Sequence, residues 1–150
     1  MKMPKITLRS PLTYLLFMQM ATATTPLYAT EPGQQTELVM AEYLDFAPYH
    51  AGIIIPQQIS DEVAEQALFI DTRSADQYAA ATLPGAINIE WRQVLNRRSE
   101  IPTDQMVILF CNTGSLSAQA TFALRVLGYE NVLVLQSGFE GWLRQQATAK

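Results

Sequence analysis

The chain has 150 residues, 49% hydrophobic and 16% charged, with 10 basic and 14 acidic side chains and a net charge of −4. That balance argues against a nucleic-acid partner. There is one cysteine, Cys111, so no internal disulfide can form, and the single histidine, His50, excludes a Ser-His-Asp set and has no ligand-spaced Cys or carboxylate around it.

Residues 1–9 carry Lys2, Lys5 and Arg9 without an acidic residue, and Leu12 to Met18 then form a short apolar core. This is the pattern of a signal peptide, and the core is well short of the roughly 20 apolar residues of a spanning helix. Ala23 and Ala29 both offer a small residue for cleavage; we favour Ala29, which makes residues 1–29 the signal peptide. No cysteine lies nearby for lipid attachment, so no stable membrane anchor is expected after cleavage, and the mature protein is expected to be periplasmic or secreted. Cleavage lowers the basic residues from 10 to 7, leaves all 14 acidic ones, and gives a net charge of −7. What remains is the size of one domain.

Residues 30–50 form a partly helical lead-in, with Leu38, Val39, Tyr43, Leu44 and Phe46 available for packing. Ile53 to Ile55 is a strand ended by Pro56, and Pro56 to Ala67 is predicted helical with Ile59, Val63 and Ala67 on one face. A strand over Ala67 to Ile70 leads into Asp71-Thr72-Arg73-Ser74, where Ser74 caps a helix from Ala75 to Ala81. Leu83-Pro84-Gly85 turns the chain into a strand from Ala86 to Ile89. Glu90 to Arg98 is predicted as a helix with Trp91, Val94 and Leu95 inward, closed by Ile101-Pro102. Met106 to Phe110 is a strand. Ser117 is placed to cap a helix to about Leu127, whose stripe is Leu116, Ala120, Ala123, Leu124 and Leu127, with Gly128 as its stop. Asn131 to Leu135 is the last strand. Strands apolar throughout and separated by helices imply an α/β fold with a parallel sheet covered on both faces.

Cys111 stands where the Met106 to Phe110 strand breaks into a Gly-containing loop followed at once by a helix. In a chain bound for export a lone cysteine is an inert buried residue, an intermolecular bridge or a reactive thiol. Position favours the last, because backbone N–H groups and a helix N-terminus stabilise a thiolate.

Four segments, Leu68 to Arg73, Leu83 to Ile89, Cys111 to Ser117 and Val134 to Trp142, occur in an order and spacing that resembles a single-domain rhodanese of the exported bacterial type, over about Ile53 to Trp142. The resemblance implies a three-layer domain over residues 51–147 with a central, mostly parallel five-stranded sheet. It also implies a sulfurtransferase in which Cys111 takes sulfane sulfur from a donor such as thiosulfate, holds it as a persulfide and passes it to cyanide, a thiol or a protein acceptor. Asn112, Thr113, Gly114, Ser115, Leu116 and Ser117 would then form the substrate loop, with Asp71 and Arg73 bracing it as a cap and a surface-facing ion pair. No metal or cofactor is implied.

The chain departs from the family pattern where many members carry arginines, at Asn112 and Leu116, leaving no basic side chain in the loop. Backbone dipoles alone bind a dianion less well than a guanidinium, so poor thiosulfate affinity is expected. Related folds that hold tetrahedral oxyanions end a longer loop in arginine, where this chain has Ser117, so phosphatase chemistry is disfavoured. Ala81-Thr82 replaces the common Gly-His, and Ser137-Gly138 the common Gly-Gly. Trp91, Phe139 and Trp142 are expected in the core or pocket wall. The alternative to an enzyme is a non-enzymatic module of the same fold that carries or senses sulfur or binds a partner.

Overall fold

Alternation of burial along the middle strand organises this computed structural model, which describes residues 32–148. In β4 (Val107–Phe110), Val107 and Leu109 join one apolar cluster while Ile108 and Phe110 join a second on the opposite face. A strand buried on both faces needs a layer of helices on each. The other strands are β1 (Ile53–Ile54), β2 (Leu68–Asp71), β3 (Ile87–Asn88) and β5 (Val132–Leu135), and the sheet order is β1-β5-β4-β2-β3 with every pairing parallel. The five-stranded α/β architecture expected from the sequence is the one observed.

Among the described residues five α-helices flank the sheet: α1 (Pro32–Phe46), α2 (Asp61–Gln66), α3 (Ala75–Ala80), α4 (Ser115–Val126) and α5 (Gly138–Thr148). The first cluster lies under α4 and contains Ala120 and Leu124 with Ile70, Ile89 and Val132. The second contains Phe69, Leu83 and Leu135, with Val63 of α2 and Phe139 and Trp142 of α5 packed on it. Trp142 and Phe139 are thus core-side residues, as expected. Residues 1–29, where the signal peptide is expected, lie outside the described residues. Among the described residues no helix is long and apolar enough to cross a membrane.

Several expectations need correction. Pro56 to Ala67 is two pieces, a 3-10 turn over Pro56–Gln58 and then α2, because the Ser60 hydroxyl accepts from the Val63 N–H and starts a new helix. Residues 90–98 hold only the 3-10 turn Trp91–Gln93 before a second one at Arg98–Glu100. Val94 is buried, but Leu95 is exposed, because without a continuous helix the two do not share a face. Ser74 does cap α3. Ser117 does not cap α4: Gly114, at φ 99°, is the N-cap, and Ser117 lies inside the first turn. The buried side of α4 is therefore Ser117, Ala120, Thr121 and Leu124, while Leu116 and Leu127 are exposed. The lead-in is partly helical as expected, α1 covering residues 32–46, and is held on α4 by the Tyr43–Phe122 ring contact at 5.5 Å and by Arg125 Nε donating to the Tyr43 hydroxyl at 3.0 Å.

Candidate active site

Parallel pairing of β2 with β4 puts Asp71 opposite Phe110, so the residues that follow each strand emerge side by side at the carboxyl edge of the sheet. That edge is where open α/β sheets hold ligands. Thr72 locks the two ends together, its N–H and its hydroxyl both donating to the Phe110 carbonyl, at 2.8 and 2.9 Å.

Cys111 is the next residue and is 3% exposed. Its Sγ accepts from the Gly114 N–H at 3.2 Å and lies 3.6 Å from the Ser117 hydroxyl, which also donates to the Gly114 carbonyl at 3.0 Å. One hydroxyl proton thus has two acceptors within reach, and a negative charge on sulfur draws it to the sulfur. Burial, the largest single influence, pushes the Cys111 thiol up, but the N–H and hydroxyl of Ser117 and the N–H groups of Leu116 and Thr113 together outweigh it. The net result is a thiol held below its ordinary range. The Leu116 and Ser117 N–H groups are free for this because the first N–H groups of α4 have no partner one turn earlier.

The loop is fixed from two sides. From α5, the N–H groups of Phe139 and Glu140 donate to the carbonyls of Cys111 and Asn112 at 2.8 and 3.0 Å. Gly138, at φ 55°, brings this helix so close that a Cβ there would overlap the Cys111 carbonyl oxygen and sit 2.7 Å from that of Asn112. From β2, Arg73 binds Asp71 through Nε and Nη2, the latter at 2.6 Å, and donates from Nη1 to Asn112 Oδ1 at 3.2 Å and from Nη2 to the Ala81 carbonyl at 2.6 Å. The Arg73 guanidinium also stacks 4.4 Å from the centre of the Phe139 ring.

The Asp71–Arg73 pair is not surface-facing, as the sequence reading had it; the Arg73 and Asp71 side chains are 6% and 0% exposed. It is buried where the Ala81 carbonyl, the Thr82 hydroxyl and the Phe139 ring meet it, and none of these is local to the spacing of Asp71 and Arg73. The cap expected of Asp71 is present, since its Oδ1 accepts from the Arg73 N–H at 3.0 Å. Thr82 gives the same carboxylate another donor at 2.9 Å, from the position where the family pattern has histidine. Asn88 completes the turn, donating to the carbonyls of Asp71 and Arg73 at 2.8 and 3.0 Å.

A cleft of about 510 Å³ opens over Cys111. Of the predicted loop residues, Cys111, Asn112, Thr113 and Leu116 line it. Gly114 and Ser117 act from beneath, through the sulfur, and Ser115 faces solvent beside the Thr113 hydroxyl at 3.2 Å. Glu90, Trp91 and Arg92, on the connection after β3, and Glu140 of α5 also line it. Reading the sequence placed Trp91 in core or pocket wall but did not bring Glu90, Arg92 or Glu140 to the site. Only their juxtaposition in space marks them. Although the loop itself carries no basic side chain, Arg73 and Arg92 reach the cleft from other elements, each already paired, Arg73 with Asp71 and Arg92 with Glu90. Among the described residues, no three His, Cys, Asp or Glu side chains are grouped to hold a metal ion.

A family model described as a rhodanese-like domain matches residues 56–145. A sulfurtransferase from Allochromatium vinosum is 33% identical over 90 residues, covering 60% of this chain and 82% of that protein. A thiosulfate sulfurtransferase from Haemophilus influenzae is 29% identical over 93 residues, covering 62% of this chain and 89% of its own length. Among solved structures, a rhodanese-related protein from Thermoplasma volcanium shares the fold with a TM-score of 0.57 at 20% identity, covering 62% of this chain and 91% of that one.

Proposed function

The chain belongs to the rhodanese-like domain family, and from that premise we propose that it transfers sulfane sulfur through a persulfide on Cys111. Sulfurtransferase activity is supported by the named relatives; the carrier role of Cys111 rests on the donors converging on its buried sulfur at 3.2 and 3.6 Å.

In the first half-reaction the Cys111 thiolate attacks the outer sulfur of the donor. With thiosulfate, the S–S bond breaks, sulfite leaves with the electron pair, and Cys111 holds a persulfide anion. In the second, cyanide or an acceptor thiolate attacks that outer sulfur, and the Cys111 thiolate returns as leaving group with thiocyanate or the acceptor persulfide released. Charge is conserved in both steps, so the site's task is to hold one negative charge on sulfur throughout. Ser117 and the α4 N-terminus are placed for that task.

The test is the intact mass of the purified protein after thiosulfate or polysulfide, for wild type and Cys111→Ser, before and after cyanide. Gain of one sulfur atom that requires Cys111 and leaves as thiocyanate is the expected result. No gain from either donor would overturn it. The second reading, a sulfur carrier, sensor or partner-binding module, is favoured by the absence of a basic side chain in the loop; a persulfide that forms but is released to neither cyanide nor thiols would select it. We place the mature protein outside the cytoplasm on the pattern of residues 1–29, and N-terminal sequencing of the exported protein should start at Thr30. A start at Met1 would refute export by cleavage.

A further inference from the structure

Charges around the cleft do not balance. Arg73 is committed to Asp71 at 2.6 Å and Arg92 to Glu90 at 3.0 Å, so each pair is neutral as a unit. Glu140 remains, exposed and without an ion pair among the described residues, while its backbone N–H is bound at 3.0 Å to the carbonyl of Asn112, the residue after Cys111. Its carboxylate sits in the first turn of α5, whose dipole offsets about half a charge. The rest faces the same cleft as the Cys111 sulfur, which is anionic as thiolate and as persulfide.

We infer that Glu140 sets the charge preference of this cleft, favouring a sulfur acceptor that carries a cationic group beside its thiol over one that carries an anionic group; the inference rests on the Cys111 transfer reading. When the acceptor thiolate attacks the outer sulfur and the Cys111 thiolate leaves, two negative charges share the cleft throughout. An ammonium near the attacking sulfur relieves that repulsion and pairs with Glu140. A carboxylate in the same place adds a third negative charge against it.

The experiment uses the full chain loaded to the persulfide with polysulfide, then measures kcat/KM for cysteamine, 2-mercaptoethanol and 3-mercaptopropionate by loss of the outer sulfur. The thiols differ in intrinsic reactivity, so the quantity read is the cysteamine to 3-mercaptopropionate ratio in wild type against Glu140→Gln and Glu140→Asp. The ratio should fall about fivefold in Glu140→Gln, the size of an exposed ion-pair effect, and be retained in Glu140→Asp. In wild type it should also shrink as salt is raised from 20 to 500 mM or so, and by less in Glu140→Gln, where only the global charge of the chain remains to be screened. A ratio unchanged by Glu140→Gln, with sulfur still passing to the thiols, would overturn this inference alone, whatever its salt dependence. Failure of wild type to pass sulfur to cyanide or any thiol would overturn the underlying reading instead.

Discussion

At Cys111 the chemistry depends on a contest between burial, which disfavours the thiolate, and convergent donors, which favour it, and the donors prevail. Ser117→Ala removes one of them while leaving the Gly114 N–H in place, so the pH midpoint for alkylation by iodoacetamide should move upward and the rate at pH 7 should drop about tenfold, the lower end of what one hydrogen bond to a charged group contributes. The same group links stability to pH. Because its folded-state pKa lies below that of the unfolded chain, its contribution is complete above the unfolded value and is lost as pH falls through the folded one. Leu116 lines the cleft and is exposed, so Leu116→Arg adds the guanidinium the loop lacks; the KM for thiosulfate should fall about tenfold while transfer from polysulfide changes little. Arg73→Ala strands the fully buried Asp71 carboxylate and should cost about 3–5 kcal/mol in urea unfolding. Arg73→Lys keeps a cation there but cannot reach Asp71, Asn112 and Ala81 at once, so it should retain more stability than activity.

Two helix N-termini meet at the site, and they do different work. The start of α4 faces the sulfur, while the start of α5 holds the loop carbonyls of Cys111 and Asn112. The approach of α5 depends on Gly138, and a methyl group there has no space and an unfavourable φ. Gly138→Ala should therefore displace the loop, lower the melting temperature and reduce sulfur transfer more than tenfold; near-normal transfer would show that α5 does not position the loop. Ser137, at φ 65° where the family pattern has glycine, accepts the left-handed strain that its neighbour avoids. On the far side of the domain, Arg125 joins α1 to β5 by donating to Tyr43, Glu130 and Val132. Tyr43→Ala removes both the hydroxyl acceptor and the ring against Phe122, so amide exchange across residues 32–46 should quicken severalfold while β4 and α4 remain protected.

For the molecule as a whole, the net charge of −4, or −7 without residues 1–29, opposes the approach of a dianion to the cleft. Raising inert salt should therefore increase kcat/KM for thiosulfate at first; a decrease would mean that a local cationic field outweighs the global one. Local signals made much of this fold legible: apolar runs at Val107 to Phe110 and Val132 to Leu135, the Ser74 cap, and a lone cysteine at a strand end ahead of a helix. These are properties of neighbours in the chain, and steric and hydrogen-bonding rules act on neighbours directly. Ser117 was misplaced as a cap because Gly114 could start the helix earlier only in the left-handed conformation, which the composition permits but does not impose. The split of residues 56–67 followed from Ser60 competing with a continuous helix for the Val63 N–H. The burial of Arg73, the Thr82 bond to Asp71 and the arrival of Glu90, Arg92 and Glu140 at the cleft were decided by the tertiary structure alone. Each depends on segments far apart in sequence being brought together by the order β1-β5-β4-β2-β3, so no periodicity or local propensity encodes it. The sequence by itself determined the strands, the position of the lone cysteine at a strand end and the layer architecture, whereas packing decided which charges surround the sulfur, because electrostatic environment is a property of proximity in space.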